Sequence, residues 1–339
     1  MVNDKVLEFD LEEKRLIEII KKRKARSVLI QLPNGLKKYA INLISLIEES
    51  TKAIAYISGG ACYGGCDLAL QDAKALKVDL IIHYGHSQFV FKNSHGFNIA
   101  YFNTPFKLNL SDLIEKTLIL MEKEKKYGLV TTTQHLHQLE DIKKLLEKNG
   151  YSVIIPLRGK FSIYNGQILG CNYSSLKSIE KEIDGCLIIG SYFHGLGATL
   201  CLDKQIILVD PYSYEAIDIS FERNKLLKQR YSYINAAKTA KNIGIIIGMK
   251  IGQYKPKIAQ RLRKLVKESG KNPILICMDE VVPDRVNNFT EIEAFVNTAC
   301  PRVSINDASR FLKPILTPKE SLVALEKLDW KDLIKQGIF

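Results

Sequence analysis

The chain has 339 residues, 46% of them hydrophobic and 25% charged, with a formal net charge of +12. That length exceeds what one hydrophobic core usually fills, so two or three domains are expected, and no apolar run approaches the ~20 residues that a membrane-spanning helix needs. The lysines are spread over helix faces and interleaved with glutamate, as in Lys123, Lys125 and Lys126, which fits a solvated surface and not a nucleic-acid groove.

From the N-terminus, Met1 to Lys24 is acidic, then basic, and helical in period, unlike a signal peptide. A soluble, cytoplasmic protein without a membrane segment is the expectation. The first unit reads as a helix from Leu11 to Ala25, a strand Val28 to Ile30, a polar loop Gln31 to Gly35, a helix Leu36 to Glu49 and a strand Ala53 to Ile57. Strands Leu80 to His83 and Asn98 to Phe102 complete it.

The same succession returns with a helix Leu108 to Lys126, strand Leu129 to Thr131, helix Leu139 to Lys148 and strand Ser152 to Ile155. Strands Cys186 to Ile189 and Gln205 to Val209 follow. It returns again with a helix Phe221 to Lys241, strand Ile245 to Ile247, helix Pro256 to Ser269 and strand Ile274 to Cys277. The later strands of this third unit, Ala294 to Val296 and Pro314 to Leu316, are less distinct. Alternating strands and helices predict an α/β fold of three related small domains, each a parallel sheet flanked by helices. The domains divide at 1–105, 106–217 and 218–339. The strand runs lack polar alternation, which fits burial on both faces.

One stretch stands apart. Ser58 to Asp67 follows a strand and packs four glycines and two thiols into ten residues. Glycine admits positive φ and lets a ligand approach the backbone, so such a turn suits a cofactor. The chain has seven cysteines, with no CxxC and no Cys/His pair at zinc-finger spacing. Cys186 and Cys277 fall inside strands and read as inert core thiols, and Cys201 reads as structural. Cys66, Cys171 and Cys300 fall in loops, one per domain, each behind small residues. Three thiolates from three domains suit an iron–sulfur cluster better than zinc, which a fourth protein ligand normally closes in structural sites. A [4Fe–4S] cluster on three cysteines keeps one iron open.

Several motifs now carry a resemblance: Gln31-Leu-Pro-Asn-Gly-Leu36, Tyr63-Gly-Gly-Cys-Asp-Leu68, His83-Tyr-Gly-His-Ser87, Gly170-Cys-Asn172, Phe193-His-Gly-Leu-Gly197, Gly252-Gln253 and Val296-Asn-Thr-Ala-Cys-Pro-Arg302. In this order they resemble the archaeal diphthamide synthase catalytic subunit, of the 2-(3-amino-3-carboxypropyl)histidine synthase family. The resemblance implies three α/β domains around a central [4Fe–4S] cluster held by Cys66, Cys171 and Cys300, with S-adenosylmethionine as substrate. It further implies a homodimer, an electron donor, and translation elongation factor 2 as the protein modified on a histidine by an atypical radical transfer. Quinolinate synthase, which also takes one cluster cysteine from each of three domains, and a non-catalytic iron–sulfur partner subunit are the rival readings. The family has Tyr-Gly-Ala-Cys where this chain has Tyr-Gly-Gly-Cys, and Cys62 matches no family ligand and reads as a bystander.

The cofactor pocket is expected to take His83, Gly85, His86 and Ser87 from the first domain, His194 and Gly195 from the second, and Gly252, Gln253 and Arg302 from the third. His135 and His137 invite the same acid–base reading as the other histidines. Gly248 to Gln253 precedes a helix, where free backbone N–H groups could hold a carboxylate.

Overall fold

The computed structural model describes residues 9–89 and 96–338. Among these residues there are three separate sheets. The first contains β1 (Ser27–Gln31), β2 (Ile54–Ile57), β3 (Leu80–Tyr84) and β4 (Ile99–Phe102), in the order β2-β1-β3-β4. The second contains β5 (Lys126–Thr131), β6 (Ser152–Ile154), β7 (Gly185–Ile189), β8 (Gln205–Asp210) and β9 (Glu215–Asp218), in the order β6-β5-β7-β8-β9. The third contains β10 (Asn242–Gly248), β11 (Asn272–Met278), β12 (Ala294–Asn297) and β13 (Ile315–Leu316), in the order β11-β10-β12-β13. All pairings are parallel except β8 with β9. The same order three times over is the repeat that the periodicity predicts. β9 is an addition: its exposed–intermediate alternation, without a long apolar run, left no strand signal.

The central strands are buried along most or all of their length, as apolar runs without polar alternation require. Each sheet has its own core. Val28, Ile30, Leu80 and Ile82 pack against Leu16, Ile20, Leu43 and Ile47 of the flanking helices Glu13–Lys22 and Ala40–Ser50. In every sheet the first strand lies between the second and the third. Loops leaving their carboxyl ends therefore diverge and open a crevice, the usual ligand position in such sheets.

Two expectations need correction. The helix predicted from Leu108 to Lys126 is broken into a short helix Ser111–Glu115 and a 3-10 turn Leu118–Leu120. The Thr117 hydroxyl donates to the Ile114 carbonyl at 2.6 Å, a local bond that competes with helix continuation, and Ile119 is left exposed. Cys277 is exposed and not a core thiol, because β11 is the edge strand of its sheet and presents alternate residues to solvent. Cys186 is buried, as read. Among the described residues, no helix is long and apolar enough to cross a membrane.

The third sheet is locked by one fully buried ion pair. Arg230, on helix Glu222–Thr239, donates from Nε and Nη2 to the two carboxylate oxygens of Glu320 at 2.7 Å each. Its remaining donors reach the carbonyls of Ile315 and Ser304. Glu320 also accepts from the backbone N–H of Thr317, closing the capping box of helix Pro318–Ala324. Removing one partner strands a charge in the core, so Glu320→Ala should cost about 3–5 kcal/mol in urea unfolding. Replacing both residues by apolar ones of similar volume should cost much less; equal losses in the two variants would contradict this account.

Candidate active site

The loops at the carboxyl ends of the three sheets meet around one cavity of about 460 Å³. Cys66, Cys171 and Cys300 all lie on its wall, one from each sheet. They arrive by two routes. Cys66 follows β2 and Cys171 follows β6, the second strand of each unit, whereas Cys300 follows β12, the third strand. After the third strands of the first two units the comparable places go to His86 and His194, and both line the cavity.

Cys66 is fixed by residues that follow β10 of the third sheet. Its carbonyl accepts from the Gly252 N–H at 3.0 Å, and its sulfur meets the Gln253 side-chain amide at 3.6 Å. Lys250 donates to Asp67 at 2.6 Å, lies 3.9 Å from Glu280 and sits 4.7 Å from the Tyr63 ring centroid. Cys171 stands in a tight turn closed by reciprocal backbone bonds between Leu169 and Asn172. Cys300 opens helix Pro301–Ile305, and Asn297 Nδ2 donates to its carbonyl at 2.8 Å. Burial, then the Cys300 sulfur, pushes the Cys66 thiol up to about 11 and the Cys171 thiol up to about 12. Burial likewise raises the Cys300 thiol. The three sulfurs thus feel one another.

This donor set fits a polynuclear centre. A single zinc ion, with Zn–S bonds of ~2.3 Å, would draw three sulfurs to about 3.8 Å from one another. The three thiols do not form a group within 4.8 Å, the span that would suit one ion. They line instead a cavity wide enough for a cluster. Glycines keep it wide: a Cβ on Gly64 would come 3.3 Å from the Cys66 sulfur, and one on Gly170 would meet the Phe193 ring at 2.6 Å. A buried polar atom without a hydrogen-bond partner also faces this region: Nε of Arg302, whose guanidinium carbon stands 3.4 Å from the Phe193 ring centroid.

The other expected pocket residues divide. Gly85, His86, Ser87, His194, Gln253 and Arg302 line the cavity. Ser87 is also a tie between sheets, since Gln167 Nε2 donates to its hydroxyl. His194 Nδ1 pairs with the N–H and hydroxyl of Ser191 in a capping box; burial, then Arg302, lowers the ring to about 3. Three residues do not line it. His83 lies behind His86, Gly195 is a packing glycine whose Cβ would strike Ile219 at 2.4 Å, and Gly252 spends its N–H on Cys66. Gln253 likewise gives its N–H to the Lys250 carbonyl, so neither amide is free for a carboxylate. His135 is buried outside the cavity wall against Phe106. Sequence reasoning missed the Asp67–Lys250 pair, although both residues stand inside motifs that it singled out. It also missed the parallel stack of Phe89 on Phe161 at 4.9 Å, which no spacing could reveal.

Residues 32–334 match the protein family described as "Putative diphthamide synthesis protein". The chain belongs to this family. It is 34% identical over 318 residues to 2-(3-amino-3-carboxypropyl)histidine synthase of Pyrococcus horikoshii, covering 93% of this chain and 90% of that protein. It is 28% identical to 2-(3-amino-3-carboxypropyl)histidine synthase subunit 1 of Schizosaccharomyces pombe, covering 98% of this chain and 77% of that one. The crystal structure of Dph2 from Pyrococcus horikoshii with a 4Fe-4S cluster superposes with a TM-score of 0.86 at 32% identity, over 94% of this chain and 92% of that one. Membership places the chain with diphthamide synthesis and not with quinolinate synthase, and the shared fold agrees with the triplicated sheet.

Within this diphthamide-family pocket the tightest backbone position is Gly65, where a Cβ would fall 2.5 Å from the Ser87 carbonyl. A carbonyl cannot rotate away. Gly65→Ala should therefore cost about 1–3 kcal/mol in thermal or urea unfolding. Gly60→Ala, whose Cβ would meet only the Ser58 hydroxyl at 3.9 Å, should be nearly neutral. Equal effects at the two positions would show that the Cys66 loop is not packed as described.

Proposed function

We infer that this chain is a 2-(3-amino-3-carboxypropyl)histidine synthase, transferring a 3-amino-3-carboxypropyl group from S-adenosylmethionine to a histidine of translation elongation factor 2. The observation that carries the reading is the convergence of Cys66, Cys171 and Cys300, from three related sheets, on one cavity wall. Family membership supports it. These three thiols would hold a [4Fe–4S] cluster, and such a cluster, when bound, supplies the electron for reductive cleavage of the sulfonium by an atypical radical route.

The protein's own part is to hold and orient. Among the described residues, Cys62 does not line the cavity, so the wall offers three cysteines, which would leave one iron of a bound cluster open to substrate. The wall carries both signs of charge, with Arg302, Arg310 and Lys250 beside Asp279, Glu280 and Asp307. That suits a zwitterionic amino-acid end, and Arg302, with its unpartnered Nε, is the group proposed for the carboxylate. Phe89, Phe161 and Phe193 give the wall aromatic surface against which an adenine can lie. Holding the amino-acid end at Arg302 would fix the orientation of the sulfonium in the cavity, and with it the choice of bond to be cut. A volume near 460 Å³ is within the range of small-molecule sites.

A cytoplasmic homodimer that leaves the cavity mouth open to the elongation factor, served by a separate electron donor, completes the proposal; its support is the family resemblance. Cys66→Ala, Cys171→Ala and Cys300→Ala should each lose most cluster iron and visible absorbance in anaerobically reconstituted protein, while Cys186→Ala and Cys277→Ala keep both. Full iron in all three loop variants would sink the ligand assignment.

The reaction is tested with S-adenosylmethionine labelled at the carboxyl carbon. Label should pass to elongation factor 2 only with reductant, with methylthioadenosine as coproduct, and should vanish when the target histidine is replaced. 5′-Deoxyadenosine as the main product would mean that the other sulfonium bond is cut.

A further inference from the structure

Behind the cavity wall a second set of donors is assembled. Cys62, His83 and His86 present one sulfur and two ring nitrogens that all lie within 4.8 Å of one another. His83 Nε2 stands 3.1 Å from His86 Nδ1, and the Cys62 sulfur stands 3.9 Å from the same Nδ1. A tetrahedral ion with bonds of ~2.0–2.1 Å to nitrogen and ~2.3 Å to sulfur would set these pairs at about 3.4 and 3.6 Å. Shifts of a few tenths of an ångström would satisfy both. Cys62 and His83 are buried, whereas His86 reaches the cavity and gives an ion its way in.

The ring of His83 is already set as a ligand. Gln31 cannot be turned: its Nε2 donates to the Asp67 carbonyl at 2.7 Å and its Oε1 accepts from the Ala69 N–H at 3.1 Å. His83 Nδ1, 2.9 Å from that Oε1, must therefore be the protonated nitrogen. Nε2 is left with its lone pair toward His86 and Cys62. A histidine held at one nitrogen by an outer acceptor, with the other free, is the usual arrangement of a metal ligand.

We propose that Cys62, His83 and His86 bind a single divalent ion of the zinc class, separate from the three thiols of the cavity. One thiolate and two imidazoles suit zinc in preference to magnesium or calcium, which prefer oxygen. On binding, the Cys62 thiol releases its proton to solvent. His86 moves its proton from Nδ1 to Nε2, so that Nδ1 can ligate and the ring stays neutral. No electron is transferred, and each ion displaces one proton. The ion joins the glycine-rich loop after β2 to the end of β3, four residues before Cys66, and so stiffens the loop that presents that thiol.

The test does not depend on transferase activity. Full-length protein with its cluster reconstituted, so that the cavity thiols are occupied, is equilibrated with buffered zinc and analysed for iron and zinc. Zinc should reach one per chain, and Cys62→Ser and His86→Gln should retain iron while binding zinc more weakly than the roughly 10–100-fold loss typical of an outer-sphere change. Cys66→Ala should show the reverse, with zinc kept and iron lost. Should the Cys62 and His86 variants lose iron as well, zinc K-edge absorption of the wild-type protein decides: one sulfur with two imidazoles supports the site, and an all-sulfur shell overturns it. Absence of zinc from the wild type, or its retention in Cys62→Ser, also overturns it. Failure of the diphthamide reading would appear separately, as loss of labelling with the zinc content intact.

Discussion

The ion pair between Lys250 and Asp67 is the contact on which the site depends. Its partners come from different sheets, the lysine from the loop after β10 and the aspartate from the residue after Cys66. Burial pushes the Asp67 carboxyl up, and the lysine works against that tendency. A pair of this kind adds little net stability, because desolvation offsets most of the attraction. What it does is choose a geometry. With Lys250 against Asp67, the Gly252 N–H reaches the Cys66 carbonyl and Gln253 reaches the Cys66 sulfur, so the third sheet determines where the first sheet's thiol points. The second sheet is tied in the same manner, by Gln134 to the Gly85 carbonyl and by Gln167 to Ser87.

The cavity has an approximate threefold logic that breaks at the chemistry. Three sheets of one strand order bring equivalent loops together, and the ends of β3, β7 and β12 supply His86, His194 and Cys300. If the third sheet followed the first two, its thiol would come from the loop after β11. It comes instead from the loop after β12, where Asn297 and the start of helix Pro301–Ile305 hold it. The scaffold is repeated, but the three thiols do not stand at equivalent places in it.

Much of this was legible in the sequence because apolar runs and amphipathic helices are local signals. β1, β5 and β10 declare themselves by β-branched residues, and helix Leu139–Lys148 spans the residues that its period indicates. Cys66, Cys171 and Cys300 stood out because small residues surround them and because the motifs are distinctive. Apart from the helix broken by the local Thr117 bond, the failures share one physical cause, dependence on partners distant in the chain. That Gly195 serves packing is decided by Ile219, and that Gly252 has no free N–H is decided by Cys66. Cys277 is exposed because β11 lies at an edge, which is a property of strand order and not of the residues Ile-Leu-Ile-Cys. Cys62 read as a bystander because its two histidines come from the end of another strand.

The state of the cavity thiols bears on how such a site is filled. Burial raises all three thiols, and the neighbouring Cys300 sulfur adds to it at Cys66, up to about 11, and at Cys171, up to about 12, which favours protonated sulfur when no metal is bound. Three thiolates in so small a volume would repel one another, and only a positively charged centre makes them stable together. Loading must therefore expel protons, and its affinity rises with pH until the thiol values are reached. The two wall histidines cannot supply counter-charge. Burial pushes His86 down to about 4 and His194 down to about 3, so both stay neutral through the range in which the protein would work. The positive charge on the wall is left to Arg302, Arg310 and Lys250, and Lys250 is already engaged with Asp67. Arg310 stands 3.7 Å from Asp307, which leaves Arg302, with its unpartnered Nε, as the cation proposed for a substrate carboxylate.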